Sequence, residues 1–249
     1  MAEEFPEDQI TLLDVNTLLP DKHLSVNTYS LKIKGLPFHI CWVEMADIES
    51  YSKKIGAPPS GVKPDGSPHY TLPIIYDPST KLFVTESLLI AEYLDKTYPD
   101  KPRIIPDGTH SLQRAFRAAF EPFEATLRPF VIPVIHEQFE GASKTFYRTA
   151  LEAIFQRKIS EMTPKGEEGQ QAWKKLEDFY DTFAAWYVEE GNGPYITGAS
   201  PCFADLILTS RIWWIMRVFG SDSPQWQDAR TWSGGKWERM LLQFQHDYD

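Results

Sequence analysis

Short apolar runs alternate with turn-forming residues in the first part of the chain. The run Ile10–Val15 predicts a strand, the segment that stops at Gly35 predicts a short helix, and residues 38–45 predict a second strand. Gly35 is a favourable left-handed stop for that helix, and a proline follows two residues later. Strand, helix and strand in this order predict two parallel strands joined by a right-handed crossover.

A looser segment and a hairpin come next. Residues 46–69 are rich in proline and glycine, and we expect a loop with one helical turn near the sequence IESYSKKIG. The runs LPIIYD and KLFVT flank Asp77-Pro78-Ser79-Thr80, where Asp and Pro favour a type I turn, so an antiparallel hairpin is predicted. Apolar residues at helical spacing then predict a helix over residues 87–98.

The pattern changes after about residue 104. Three long segments place apolar residues at helical spacing, and a fourth, FADLILTSRIWWIMRVFG, is apolar nearly all round and predicts a buried helix. Pro122, Pro129 and Pro133 should kink or break the first of these helices. No strand pattern follows residue 110. The predicted fold class is an α/β domain over residues 1–103, followed by an all-α domain over residues 104–249.

Composition narrows the class of protein. Hydrophobic residues make up 42% of the chain, which is enough for substantial cores, and the net charge of −10 argues against a nucleic-acid binder. No apolar run approaches the roughly 20 residues of a membrane helix, and residues 1–6 lack the pattern of a secretory signal. The two cysteines and six histidines show no disulfide or metal-ligand spacing. We therefore expect a cytoplasmic protein without a metal.

Two junctions carry candidate binding chemistry. Proline is tolerated at the first residue of a strand, and a cis Leu72-Pro73 bond would turn the Leu72 N–H and C=O outward, where an extended peptide could pair with them. Glu86-Ser87 begins a helix, where free N–H groups bind a carboxylate and Glu86 could accept from an ammonium. Together these groups suit the amino-acid end of a peptide. The alternative interpretation of Glu86-Ser87 is a helix cap with an acidic first turn.

The joint pattern resembles the cytosolic glutathione transferases. The resemblance is carried by Leu72-Pro73, by Thr85-Glu86-Ser87 with LLIAEYLDKTYPD, and by PYITGASPCFADLIL. It implies a thioredoxin-like first domain, glutathione as co-substrate, and a homodimer. It also implies that Leu72 before Pro73 pairs with the cysteinyl backbone and that Glu86 and Ser87 hold the γ-glutamyl end. The glycyl carboxylate needs a cation or amide donor, for which the candidates are Lys53, Lys54, Lys63 and His69, with Lys53 or Lys54 favoured.

A donor to the glutathione thiolate is expected just after the first strand. SVNT at residues 25–28 resembles the start of the serine-type transferases, and KGLPFHICWVEMADIE and KKIGAPP resemble a fungal class related to bacterial lignin-ether-cleaving enzymes. The resemblance implies Ser25 as thiolate donor, with Asn27 orienting it or contacting the ligand. Ser is also a preferred N-cap residue. Family members place about one helical turn more between this serine and the Lys-Gly, and counting back from Gly35 reaches Asp21 instead.

Aromatic residues of the helical region are candidates for a hydrophobic substrate site between the domains. These are Phe116, Phe120, Phe123, Tyr147, Trp173 and Tyr180. Asp205 matches a buried capping Asp of the family, so a structural role is expected. Two functions stay open. One is conjugation of glutathione to aromatic electrophiles in detoxification, with peroxide reduction or aryl-ether cleavage as further reactions. The other is a ligandin-type protein that binds aromatic polyphenols with little turnover.

Overall fold

A four-stranded mixed sheet forms the first part of the protein. The computed structural model describes residues 5–19, 25–187 and 193–248. The strands are β1 (Ile10–Val15), β2 (Phe38–Val43), β3 (Gly61–Val62), β4 (Pro68–His69), β5 (Ile74–Asp77) and β6 (Leu82–Thr85). The main sheet has the order β2-β1-β5-β6, with β1 parallel to β2 and antiparallel to β5, and β5 antiparallel to β6. The predicted crossover and hairpin are confirmed.

Helices surround this sheet and make up the rest of the chain. They are α1 (Val26–Ile33), α2 (Ile48–Ile55), α3 (Ser87–Thr97), α4 (His110–His136), α5 (Gly141–Phe155), α6 (Gly166–Ala184), α7 (Phe203–Phe219), α8 (Pro224–Ala229) and α9 (Trp232–Tyr248). Within the described ranges no strand follows β6. The fold class of a thioredoxin-like domain followed by a helical domain is confirmed. No helix in the described part is long and apolar enough to cross a membrane.

Residues 46–69 are more regular than the sequence predicts. They hold the two-turn helix α2 and a small antiparallel ribbon in which β3 pairs with β4. Ile48, Tyr51 and Ile55 pack together on a small cluster beside the sheet, and Gly56 ends the helix with a φ of 76°. Packing of this apolar face stabilises a helix that the surrounding prolines obscure in the sequence.

The three prolines do not break α4. Pro122, Pro129 and Pro133 all lie inside one helix of 27 residues. Each proline removes one backbone hydrogen bond, but the helix buries a row of large apolar side chains, and this packing outweighs the lost bonds. Of the two expected effects, a kink or a break, the break is therefore wrong.

One hydrophobic core joins the α/β part to the helical part. Side chains of β1, α1 and α3 lie in the same buried cluster as those of α4, α6, α7 and α9. The rings of Tyr29 on α1 and Phe244 on α9 are 5.2 Å apart. Lys34, fully buried after α1, places its Nζ 2.6 Å from Asp95 of α3, whose carboxylate also accepts from the backbone N–H of Ile104 and Ile105. These contacts fix α1, and with it the start of the candidate site, against the helical domain.

Candidate functional site

The peptide bond between Leu72 and Pro73 is cis. It lies just before β5, so Leu72 stands at the end of the sheet rather than in the ladder. Among the described residues nothing hydrogen-bonds to the N–H or the C=O of Leu72. A free donor and a free acceptor on one residue can pair with an extended backbone laid alongside.

Glu86 caps α3. It has a φ of 77°, and its Oε2 atom accepts from the N–H groups of Leu88 at 3.0 Å and Leu89 at 3.3 Å. This is the helix-cap geometry, and it occupies one carboxylate oxygen of Glu86. The neighbouring Ser87 faces α1, where the Asn27 Nδ2 lies 3.4 Å from the Ser87 hydroxyl oxygen.

Ser25 caps α1 in a reciprocal arrangement with Thr28. The Ser25 Oγ accepts from the Thr28 N–H at 3.3 Å, and the Thr28 Oγ1 accepts from the Ser25 N–H at 2.5 Å. Accepting a backbone N–H leaves the Ser25 hydroxyl proton able to donate elsewhere. Asp21, the other candidate for this place, lies outside the described residues.

Asn27, on α1 near Ser25, has a buried polar side chain. It is 3% exposed, and its Oδ1 atom is buried without a hydrogen-bond partner among the described residues. A buried carbonyl oxygen without a donor is costly, so this atom is suited to accept from a bound ligand.

These groups meet at one cavity of about 340 Å³ between the sheet domain and the helical domain. Its walls include Ser25 and Asn27 from α1, Leu72 and Pro73 from the cis bond, and Ser87 from α3. The structure thus brings Ser25 together with four of the residues that the sequence assigns to glutathione, namely Asn27, Leu72, Pro73 and Ser87. Glu86 caps α3 next to Ser87 but is not among the residues that line this cavity.

Asp14, at the end of β1, is a cavity residue that the sequence analysis missed. Its carboxylate is partly buried and accepts from the Val15 N–H at 2.8 Å. Burial raises the pKa of Asp14 to about 6, and the hydrogen bond from Val15 opposes this only in part. The sequence feature that could have identified Asp14 is an acidic residue near the end of a mostly apolar strand.

Helix α7 supplies the opposite wall with Ser210, Arg211, Trp213, Trp214 and Arg217. Sequence analysis predicted a buried helix but assigned no site residue to it. Two arginines in a helix that is otherwise nearly apolar were the signal, because a charge at a buried position needs a partner or a function.

A second cavity of about 390 Å³ lies on the other side of Leu72. Lys63 and His69 line it, together with residues of α2 and α5. Lys53 and Lys54, the favoured candidates for the glycyl carboxylate, are not on its wall. Instead the Lys53 Nζ lies 2.7 Å from a Glu49 oxygen, and the Lys54 Nζ lies over the Tyr51 ring.

The six aromatic candidates are not brought to these cavities. Phe116, Phe120, Phe123 and Tyr180 are buried in the main core. Tyr147 packs on Phe139 with ring centroids 5.0 Å apart, and Trp173 packs among Phe130, Phe219 and Trp232. Their spacing reflects packing with other side chains, and the expectation that these six residues line a cavity between the domains is wrong for the main cavity, to which α7 contributes instead.

Asp205 holds the start of α7. Its carboxylate accepts from the Cys202 N–H at 2.9 Å, the Ile196 N–H at 3.0 Å and the Tyr187 hydroxyl at 2.8 Å. Cys202 is fully buried, and this burial raises the pKa of its thiol to about 12. Both residues serve the packing of α7. In the described part of the chain no group of His, Cys, Asp and Glu side chains is suited to hold a metal ion.

Comparison with known proteins identifies the family. The model of the glutathione S-transferase C-terminal domain matches residues 111–248, and that of the glutathione S-transferase N-terminal domain matches residues 28–97. The chain belongs to the glutathione S-transferase family. Residues 98–110 join the two matched regions and include Ile104 and Ile105.

Fungal glutathione S-transferases are among the most similar structures. One from Ceriporiopsis subvermispora, solved in complex with glutathione, is 38% identical, covers 96% of this chain and 97% of its own, and has a TM-score of 0.88. One from Phanerochaete chrysosporium is 32% identical over 97% of both chains, with a TM-score of 0.87. The glutathione S-transferase-like protein ustS of Aspergillus flavus is 27% identical over 94% of this chain and 89% of its own.

Proposed function

We propose that this protein is a glutathione transferase that joins the thiol of glutathione to hydrophobic aromatic electrophiles. The supporting observation is the cavity in which the unpaired backbone of Leu72, the orphan Oδ1 of Asn27 and the hydroxyls of Ser25 and Ser87 converge. Each of these groups matches a part of glutathione. The glutathione bound to a relative of 38% identity supports the same assignment.

The proposed position of glutathione follows from the chemistry of the walls. The cysteinyl backbone lies along Leu72 and exchanges two hydrogen bonds with it. The γ-glutamyl carboxylate binds the Ser87 hydroxyl at the start of α3, where the helix end favours an anion. The γ-glutamyl ammonium donates to the Asn27 Oδ1 and to the Glu86 oxygen that does not cap the helix. The glycyl carboxylate points into the second cavity, towards Lys63 and His69.

Ser25 stabilises the reacting sulfur. A thiol has a pKa near 8.5, so a hydroxyl that donates to the thiolate, at the positive end of α1, increases the reactive fraction at neutral pH. The thiolate attacks the electrophilic carbon and forms a C–S bond, while the leaving group departs with its electron pair. The thiol proton passes to solvent. The serine type, a role in detoxification and a cytoplasmic homodimer of the fungal class are parts of this proposal. Cys41 and Cys202 are not joined in a disulfide, which supports a reducing compartment.

A ligandin-type protein for aromatic polyphenols is the second candidate. The observation that favours it is the engagement of the Ser25 side chain with Thr28, in a first helix of only eight residues. If that geometry holds the hydroxyl away from the sulfur, glutathione and an aromatic ligand bind with little turnover.

Calorimetry and a conjugation assay separate the two candidates. We expect Ser87→Ala to weaken glutathione binding on the order of 10-fold, because a hydrogen bond to a charged group is lost. We expect Ser25→Ala to lower kcat at least about 10-fold with 1-chloro-2,4-dinitrobenzene and to change the glutathione Kd far less. Ser221→Ala, an exposed serine between α7 and α8, is the matched control.

The outcomes are distinct. Equal and low rates in the wild type and Ser25→Ala, with normal glutathione binding, would establish the ligandin candidate. Absence of glutathione binding to the wild-type protein would overturn both.

A further inference from the structure

Two arginine-tryptophan pairs on α7 form the cavity wall that faces Ser25 and Leu72. The Arg211 guanidinium carbon lies 4.8 Å from the ring centroid of Trp214, and that of Arg217 lies 4.7 Å from the ring centroid of Trp213. All four side chains line the cavity. Each pair combines a flat apolar surface with a fixed positive charge, because a guanidinium stacked on an indole loses freedom without losing its charge.

Among the described residues around Arg211, the positively charged side chains outnumber the negatively charged ones. The Arg211 Nη2 contacts Glu124, but the second oxygen of Glu124 lies 3.2 Å from Arg117, which also pairs with Glu121. Arg128 shares Glu121 as well. Among the residues that the structure describes, three guanidinium groups therefore share two carboxylates, which leaves one positive charge beside the cavity.

Arg211 also retains an unused donor. Its Nε atom is buried and has no hydrogen-bond partner among the described residues. A buried N–H without an acceptor is costly, and an acceptor supplied by a ligand would remove that cost. Because Arg211 lines both the main cavity and a smaller one of about 140 Å³ against α4, a ligand that fills the main cavity reaches this side chain.

Among the described residues that line the main cavity, the acidic one is Asp14, and it lies on the other wall. Asp14 belongs to the last part of β1 and lies on the same side as Leu72, along which glutathione is proposed to lie. Its raised pKa reduces its negative charge at mildly acidic pH. The cavity is therefore polarised, with the glutathione groups and one acid on the sheet side and two arginines on the α7 side.

We propose that the α7 wall selects flat aromatic acceptors that carry a carboxylate, with the ring against Trp213 or Trp214 and the anion on the guanidinium of Arg211. This inference rests on the proposed transferase function and names the acceptor class of that site. The reaction keeps its balance: the sulfur forms a bond to a ring carbon, chloride leaves with the bonding electrons, and the carboxylate takes no part in the chemistry.

Two matched acceptors test the inference. 4-Chloro-3,5-dinitrobenzoate and 4-chloro-3,5-dinitrobenzamide have the same shape and leaving group, and differ in the charge. With each rate divided by the uncatalysed rate of the same acceptor with glutathione, we expect kcat/KM to favour the benzoate on the order of 10-fold. Arg211→Met should bring this ratio to about 1, whereas Arg211→Lys should retain part of it.

Arg114→Met is the control. Arg114 lies on α4, pairs with Glu92 on the surface and lines none of the cavities at the site, so the ratio should equal that of the wild type. Raising the salt concentration about tenfold should lower the wild-type ratio, because the attraction is screened. This measurement needs no variant, and it decides the matter if Arg211→Met does not fold.

Binding without turnover separates this inference from the proposed function. Quenching of tryptophan fluorescence by 3,5-dinitrobenzoate and 3,5-dinitrobenzamide gives Kd values for non-reacting analogues. Conjugation of neither acceptor, together with tighter benzoate binding that Arg211→Met abolishes, would reject the transferase and support the anion site. Equal kcat/KM and equal Kd for the two members of each pair would overturn the inference whatever the activity.

Discussion

Asp14 offers a direct test of how the cavity shapes the electrostatics of the protein. We consider Asp14→Asn, which retains the side-chain shape and an oxygen that can accept the Val15 N–H bond. The pKa of Asp14 rises from 3.8 to about 6 in the folded protein, because burial disfavours the charged form. The charged carboxylate therefore destabilises the folded state, and its neutral replacement should stabilise it.

The magnitude follows from linkage. A pKa that is higher in the folded state than in the unfolded state means that the folded state binds more protons, so stability falls as pH rises through this range. A shift of about 2 units corresponds to about 3 kcal/mol at pH 7.5, about half of that at pH 5, and about 0.5 kcal/mol at pH 4. Because Asp14 is only partly buried, about 3 kcal/mol is the upper end of the gain.

Urea unfolding of the wild type and Asp14→Asn at several pH values measures this difference. We expect the variant to be more stable by about 1 to 3 kcal/mol at pH 7.5 and the difference to shrink as pH falls towards 4. Asp222→Asn, at an exposed carboxylate, serves as the control for loss of charge alone. A variant that is no more stable at pH 7.5, or a gain that does not change with pH, would refute the reasoning.

Three further predictions concern buried groups outside the cavity. Lys34→Met should lower the free energy of unfolding by about 3–5 kcal/mol, because it leaves the Asp95 carboxylate buried without a cation; urea unfolding measures it. Asp205→Ala should cost about 2–4 kcal/mol in the same assay, because three hydrogen-bond donors to this carboxylate lose their acceptor. A thiol reagent should modify the partly exposed Cys41 first and reach Cys202 only on unfolding, because Cys202 is buried with a pKa of about 12.

Each of these predictions has a contradicting result. A Lys34→Met protein as stable as the wild type would mean that the buried ion pair adds nothing to the stability of the fold. Asp205→Ala with unchanged stability would mean that water replaces the carboxylate. Two rapidly modified thiols in the native protein would show that α7 opens at its start.

Much of the first domain could be predicted because its signals are local. The hairpin turn at Asp77-Pro78, the stop at Gly35 and the short apolar run of β1 each specify a backbone conformation within a few residues. Helix α2 was underestimated because its stability comes from packing on the sheet, which local proline and glycine content conceals. The prolines of α4 misled for the same reason, since burial of one face offsets their local cost.

Some residues of the candidate site could be predicted from the sequence, and others could not. Leu72 and Ser87 could be predicted to line the cavity because each stands at a junction whose free backbone or polar group suggests a ligand, whereas Asn27 was predicted from the resemblance of its segment SVNT. The residues of α7 that line the cavity could not be predicted. Which side of a nearly apolar helix faces a cavity depends on how the two domains pack, and the sequence pattern does not show this. Aromatic spacing pointed to Phe120 and Tyr180 instead, but the same spacing builds a core, and these two side chains are fully buried.

The continuous core bears on how this protein can be divided. The ring contact of Tyr29 with Phe244 joins the sheet domain to α9 near the end of the chain, and the Asp95 carboxylate of α3 accepts from the backbone N–H groups of Ile104 and Ile105. A cut between α3 and α4 would therefore divide this shared hydrophobic core between two fragments. We expect neither fragment to fold alone. The cavity between the two domains therefore lies within one cooperative unit, so a ligand that binds there should raise the melting temperature of the whole molecule in a single transition.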